Sequence, residues 1–266
     1  MLQTSSVPAV PRAARKPVIR KLPASQAFSW LGSGWSLFAA QPIQWSLMAL
    51  AVFVIMALVS TVLVPLPIIG PMAAPVLFVL LTGGMLSAAA RQARGETLRF
   101  KHMFDGFRTH CGSLALVGVL FSIPLVVMLL VVQLALVGGL LAGVLGAVLG
   151  SALSSLLSAA TAFVSVLVTG LGVSVFIYLL MLLTLVGAPA LITYRALPPL
   201  EAMGLSLKAS LRNLGATLLF GLIMYVLFAV ALMPAGLGVL IFIPVSVGAL
   251  RQAYLDMFGD AVHEVA

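Results

Sequence analysis

No charged residue interrupts the chain between Ser113 and Tyr194. That stretch constrains the fold more than any other feature. A soluble domain must wet its surface, and ordinary domains carry about 25% charged residues. Here 62% of residues are hydrophobic and only 8% are charged. A bilayer removes the need for a wetted surface, so the chain reads as an integral membrane protein. The runs are continuous and apolar rather than short and alternating. Helices rather than a barrel are therefore expected, because a helix satisfies its own backbone in lipid.

About 20 apolar residues cross the hydrocarbon core. Spans are expected near 45–64, 72–90, 113–134, 162–193, 215–233 and 237–254, giving an all-α polytopic bundle over 26–258. Pro65, Pro67, Gly70 and Pro71 break the chain between the first two spans, and Pro234 and Gly236 between the last two. Residues 135–160 form a Gly-rich connector. Every Lys and Arg lies in the N-terminal tail, in 91–108, in 195–212 or at Arg251. Basic residues favour the cytoplasmic side, which predicts both termini inside and an even number of crossings between 113 and 194. The formal net charge of +8 is read as this orientation signal and not as a nucleic-acid surface.

Residues 1–25 hold four prolines with Arg12, Arg15, Lys16, Arg20 and Lys21. They lack the apolar core of a signal peptide and read as a disordered basic cytoplasmic tail able to meet anionic lipid. Residues 259–266 read as a short acidic tail. Cys111 is the single cysteine, so no intramolecular disulfide can form.

A threefold pattern runs along the chain. A short amphipathic segment precedes the first, third and fifth spans, and Arg91, Arg195 and Arg251 follow the second, fourth and sixth. Arg91-Gln92-Ala93 and Arg251-Gln252-Ala253 match residue for residue. Three units are expected, each an interfacial helix followed by a helical hairpin. Phe28, Leu31, Trp35 and Phe38 share one face of the first segment. Phe100, Met103, Phe104 and Phe107 share one face of the second. Phe28, Trp35, Phe38, Phe104 and Phe107 are thus the expected interfacial anchors.

Inside the connector, Gly138, Ala142, Gly146, Gly150, Ser154 and Ser158 recur every four residues. Gly139, Gly143, Ala147, Ser151, Ser155 and Ala159 form a second row. Small residues at this spacing let another helix approach closely. Three uses remain open: packing inside the bundle, contact with a second copy, or a re-entrant pore-lining helix. Pro75, Pro124, Pro189 and Pro244 fall within expected spans and should kink them.

The residues offer little chemistry. The apolar runs of the expected spans, the last from Leu237 to Leu250, hold no charged side chain, which argues against a proton-coupled transporter or a voltage sensor. No nucleotide-binding loop, zinc-protease motif or nucleophile elbow occurs. His102, Asp105, His110 and Cys111 cluster in one loop, but their spacing fits no standard metal site. No catalytic, cofactor or metal residues are assigned. A non-enzymatic component contacting lipid or protein is the leading expectation. A passive channel or a lipid or solute translocator is the alternative, and an enzyme built on the loops ranks last.

Residues 28–42 (FSWLGSGWSLFAAQP) lead into a span and then into PLPIIGP at 65–71. This arrangement resembles the start of a family of uncharacterised proteobacterial inner-membrane proteins with about six spans. RGETLRFKHMFDGFR at 94–108 and LPPLEAMGLSLKASLRN at 197–213 are similar to that family's two inner loops. The resemblance covers roughly 28–258. It implies a bacterial inner membrane and carries over no activity and no catalytic residue.

Overall fold

The computed structural model describes residues 18–63, 66, 69–148 and 152–259. Most of the two tails, together with Pro65, Pro67 and Gly150, lies outside the described residues. The described chain is helical: α1 (Gln26–Ala40), α2 (Pro42–Leu63), α3 (Ile69–Ala93), a 3-10 turn (Phe100–Phe104), α4 (Asp105–Thr109), α5 (Cys111–Val148), α6 (Ala152–Leu185), α7 (Ala188–Arg195), α8 (Pro199–Arg212), α9 (Leu214–Leu232) and α10 (Val239–Phe258). Six helices are long and apolar enough to cross a membrane: α2, α3, α5, α6, α9 and α10.

The elements follow the three units read from the sequence. Unit one is α1 with the α2–α3 hairpin. Unit two is the 3-10 turn and α4 with α5, α6 and α7. Unit three is α8 with α9–α10. Each leading segment packs on the last span of another unit. The 3-10 turn and α4 pack on α3, α8 packs on α6 and α7, and α1 packs most heavily on α10. The first unit thereby rests on the last, and the ring closes. The last helices of the units, α3, α7 and α10, meet in the middle. Leu81, Met85, Leu86, Leu191, Ile192 and Tyr254 fill that centre and are all fully buried.

Glycines set how closely the seams approach. A Cβ on Gly34 of α1 would run into the Val245 carbonyl of α10, and a Cβ on Gly248 would lie 2.8 Å from the Gly34 Cα. A Cβ on Gly84 of α3 would meet the Met103 carbonyl, and one on Gly106 would meet the Leu80 carbonyl. At the third seam the Gly187 amide donates to the Ser206 hydroxyl at 3.0 Å. At the first two seams backbone lies against backbone, the kind of contact that holds helices together where lipid removes the hydrophobic drive.

Several expectations are corrected. Residues 135–160 are not a separate connector. α5 runs unbroken to Val148 and α6 begins at Ala152, so the Gly-rich stretch supplies the far ends of two long antiparallel helices. Glycine is tolerated inside a helix in lipid, where the unbonded backbone has no water to turn to. The expected spans 113–134 and 162–193 are each too short at that end. The fourth span also stops earlier than expected, at Leu185. Pro189 lacks an N–H and sits in the first turn of α7, where none is needed, so it starts a helix instead of kinking one. Gly70 and Pro71 likewise fall in the first turn of α3 and do not extend the break before it. α10 reaches Phe258, so its last two turns carry Arg251 and Asp256.

Candidate functional site

One end of the bundle gathers a set of polar contacts between helices. Asp256 of α10 accepts hydrogen bonds at Oδ2 from Gln26 Nε2 (2.7 Å) and Trp30 Nε1 (2.9 Å) of α1. Its Oδ1 accepts from Gln252 Nε2 at 2.9 Å. Gln92 of α3 accepts from Trp45 Nε1 at 2.7 Å and donates to the Leu37 carbonyl at 2.8 Å. The glutamines of the two matching Arg-Gln-Ala tripeptides thus do parallel work. Gln92 holds the fully buried Trp45 directly, and Gln252 donates to the Asp256 carboxylate that accepts from the fully buried Trp30.

The same end holds Arg195, whose Nε donates to the Tyr254 hydroxyl at 3.0 Å. Asn213 accepts from the Leu22 amide at 2.7 Å and donates to the Arg20 carbonyl at 2.9 Å. Arg91 pairs with Glu96 at 3.4 Å and with Asp105 at 3.5 Å, tying the loop after α3 back to it. Hydrogen bonding from Arg94, with Arg91 nearby, holds the Glu96 carboxyl below its usual range. These contacts are structural: Asp256, Arg195 and Asn213 join one unit to another, and Gln92 ties the helices of the first unit together.

The loop cluster of potential ligands comes apart in space. His102 is buried and accepts the Arg99 amide at Nδ1 (3.3 Å). Burial, aided by Arg91, pushes its pKa down and keeps the imidazole neutral. Asp105 faces Arg91, and Cys111 is exposed at the start of α5. Among the described residues no three His, Cys, Asp or Glu side chains converge.

The anchor residues divide. Phe28 and Trp35 project outward at 60% and 55% exposure, and Phe38 is buried at 8%. The buried face of α1 is Ala27, Trp30, Gly34 and Phe38, one position away from the face expected from the aromatics. Gly34 decides this, because only glycine admits α10 so closely. Phe104 and Phe107 are half-buried, with ring centroids 6.1 Å apart, and pack against the core as well as outward.

The small-residue stripe is the other candidate. A Cβ on Gly138 would meet nothing within 4 Å, so this row turns away from the rest of the chain there. Ser158 is exposed. The second row makes the helix contact: a Cβ on Gly143 would sit 3.8 Å from the Ala159 Cβ. Ala142, Gly146 and Ser154 lie on described helix, and Gly150 lies outside the described residues.

Sequence reasoning missed where α5 leaves the bundle. Leu114, Val117, Phe121 and Ser122 are buried, with Ser122 Oγ donating to the Met72 carbonyl at 3.2 Å. Beyond Pro124, α5 turns only exposed or half-buried residues outward, among them Leu134, Leu140, Leu141 and Leu145. At 1.5 Å per residue the 38-residue α5 is about 57 Å long, against roughly 30 Å of hydrocarbon. Two hollows flank it past the proline. One, of about 440 Å³, opens between α5 and α6 beside Pro124, Met128, Thr169 and Phe176. The other, of about 570 Å³, lies between α5 and the α2–α3 hairpin. Pro124 is the signal the sequence offers for this departure. No family model, curated protein or solved structure matches the chain.

Proposed function

We propose that this chain is a non-enzymatic, multi-pass component of a bacterial inner membrane, with membrane lipids and other membrane proteins, including a second copy of itself, as its partners. The α5–α6 hairpin carries this reading. Past Pro124 none of the described α5 residues is fully buried, and Leu134, Leu140, Leu141 and Leu145 are exposed, so its surface is available to whatever surrounds it in the membrane. Exposed leucines at this density demand apolar surroundings. The polar end of the bundle holds the basic loops and faces the cytoplasm in this reading, following the preference of Lys and Arg for that side.

The filled centre where α3, α7 and α10 meet supports contact over conduction. A passive channel or translocator is the competing reading, favoured by the two hollows beside α5. Liposomes carrying the purified protein separate the two. The expected result is leakage of small ions and of a fluorescent solute no faster than from empty liposomes. Leakage that rises with the amount of protein would overturn the proposal in favour of the channel.

A further inference from the structure

Ahead of α1 the chain runs from Val18 to Pro23 without regular secondary structure. Leu22 precedes Pro23, which biases it towards extended backbone and keeps the segment apart from the helix. Its hydrogen bonds go to the third unit instead. The Arg20 amide donates to the Met257 carbonyl in the last turn of α10 at 2.9 Å. Asn213, between α8 and α9, brackets Lys21. Its Oδ1 accepts from the Leu22 amide at 2.7 Å, and its Nδ2 donates to the Arg20 carbonyl at 2.9 Å. One side-chain amide thereby holds both peptide groups that flank Lys21.

The segment has an inner and an outer face. Ile19 and Leu22 pack against the core, and Arg20 and Lys21 are exposed. The Arg20 guanidinium lies beside Gly259 at the C-terminus of α10, where a cation complements the negative helix end.

These contacts are few, and little in the bundle depends on them. Asn213 Nδ2 also donates to the Ala209 carbonyl at 3.0 Å, a bond within its own unit. The Met257 carbonyl is a helix-end acceptor that water can satisfy. Neither Ile19 nor Leu22 is fully buried. The seam between α1 and α10, by contrast, is closed by backbone contact at Gly34 and Gly248. Segments with few buried contacts open at a lower free energy than the fold as a whole.

We propose that residues 18–23 are a latch that lifts from the α8–α9 junction and the end of α10 while the bundle stays folded. Closed, the latch ties the first unit to the third at the polar end. Open, it leaves α1 docked on α10 and uncovers Asn213 Oδ1 and the Met257 carbonyl as acceptors.

Limited trypsin digestion of the full chain in detergent tests this directly. Trypsin cuts after lysine, and the Lys21–Leu22 peptide contains the amide that Asn213 holds. At low trypsin, cleavage there tracks the open population. In the parent, cleavage after Lys21 is expected to outpace cleavage after Lys208, which lies within α8 and requires that helix to unfold. The shortened chain should keep the parent's melting temperature. Asn213→Ala removes the bracket and should speed cleavage after Lys21 about tenfold, the equivalent of one to two hydrogen bonds. Ile19→Ala leaves all of these hydrogen bonds in place and should speed it several-fold by loss of packing alone. The Ile19 variant reads the latch even where the Asn213 variant fails to fold. Cleavage after Lys21 and Lys208 at a single rate in the parent would overturn the proposal, as would an Ile19→Ala chain cut no faster than the parent.

Discussion

Replacing Gly84 with leucine is expected to abolish the folded bundle, while the same change at Gly138 leaves it intact. The Gly84 position is enclosed by the Met103 backbone, which belongs to the segment that docks unit two on α3. A side chain there must push backbone from backbone, and no flexible side chain can yield instead. Overpacking a core costs about 1–3 kcal/mol when neighbours can adjust, and this site belongs at or above the top of that range. Gly138 has open space around it, so leucine there adds only lipid-facing bulk. Thermal unfolding in detergent is the measurement. A Gly84→Leu chain that melts with the parent would show that the seams are looser than described. A Gly138→Leu chain that unfolds would return the close helix contact to the connector row.

Asp256→Leu is expected to lower stability by about 3 kcal/mol, with Asp256→Asn costing less than half as much. The leucine leaves Gln26, Trp30 and Gln252 without their shared acceptor. Hydrogen bonds to a charged group contribute roughly 1.5–3 kcal/mol, and the Trp30 ring is fully buried, so its N–H finds no water in exchange. Asparagine keeps one acceptor oxygen in place. Unfolding monitored by tryptophan fluorescence reads both effects. Equal stability of the leucine variant and the parent would mean that α1 is held on α10 by packing alone.

Much of the architecture is legible in the residues. Six apolar runs and the confinement of Lys and Arg to alternate connections are enough for six membrane-spanning helices. The Arg-Gln-Ala match has a partial structural echo: Gln92 accepts from Trp45 directly, whereas Gln252 donates to Asp256, which accepts from Trp30. Helix ends in the apolar stretch are not legible. In water a Gly-rich run ends a helix. In lipid the backbone has no other partner, so α5 passes through Gly138, Gly139 and Gly143 without breaking.

The packing glycines are hidden for a different reason. Gly138 and its row repeat at a conspicuous spacing, yet Gly138 meets nothing. Gly34, Gly84 and Gly248 carry the seams, and none of them has another glycine four residues away. Whether a small residue is used depends on what the chain brings opposite it, and that partner is distant in sequence. The same holds for α1, where one glycine against α10 turns the helix and buries Phe38 among the expected anchors.

The closure of three units into a ring, with the first unit docked on the last, is tested most directly by a disulfide between Ala24 and Gly215. A Cβ on Gly215, at the start of α9, would lie 3.4 Å from the Ala24 Cβ just before α1, and both positions are exposed. That separation is close to the Cβ–Cβ distance of about 3.8 Å in a disulfide. In a Cys111→Ser chain, the Ala24→Cys/Gly215→Cys pair should oxidise within one molecule and migrate as a monomer whose mobility shifts on reduction. Failure to crosslink, or crosslinking only between molecules, would contradict the closed ring.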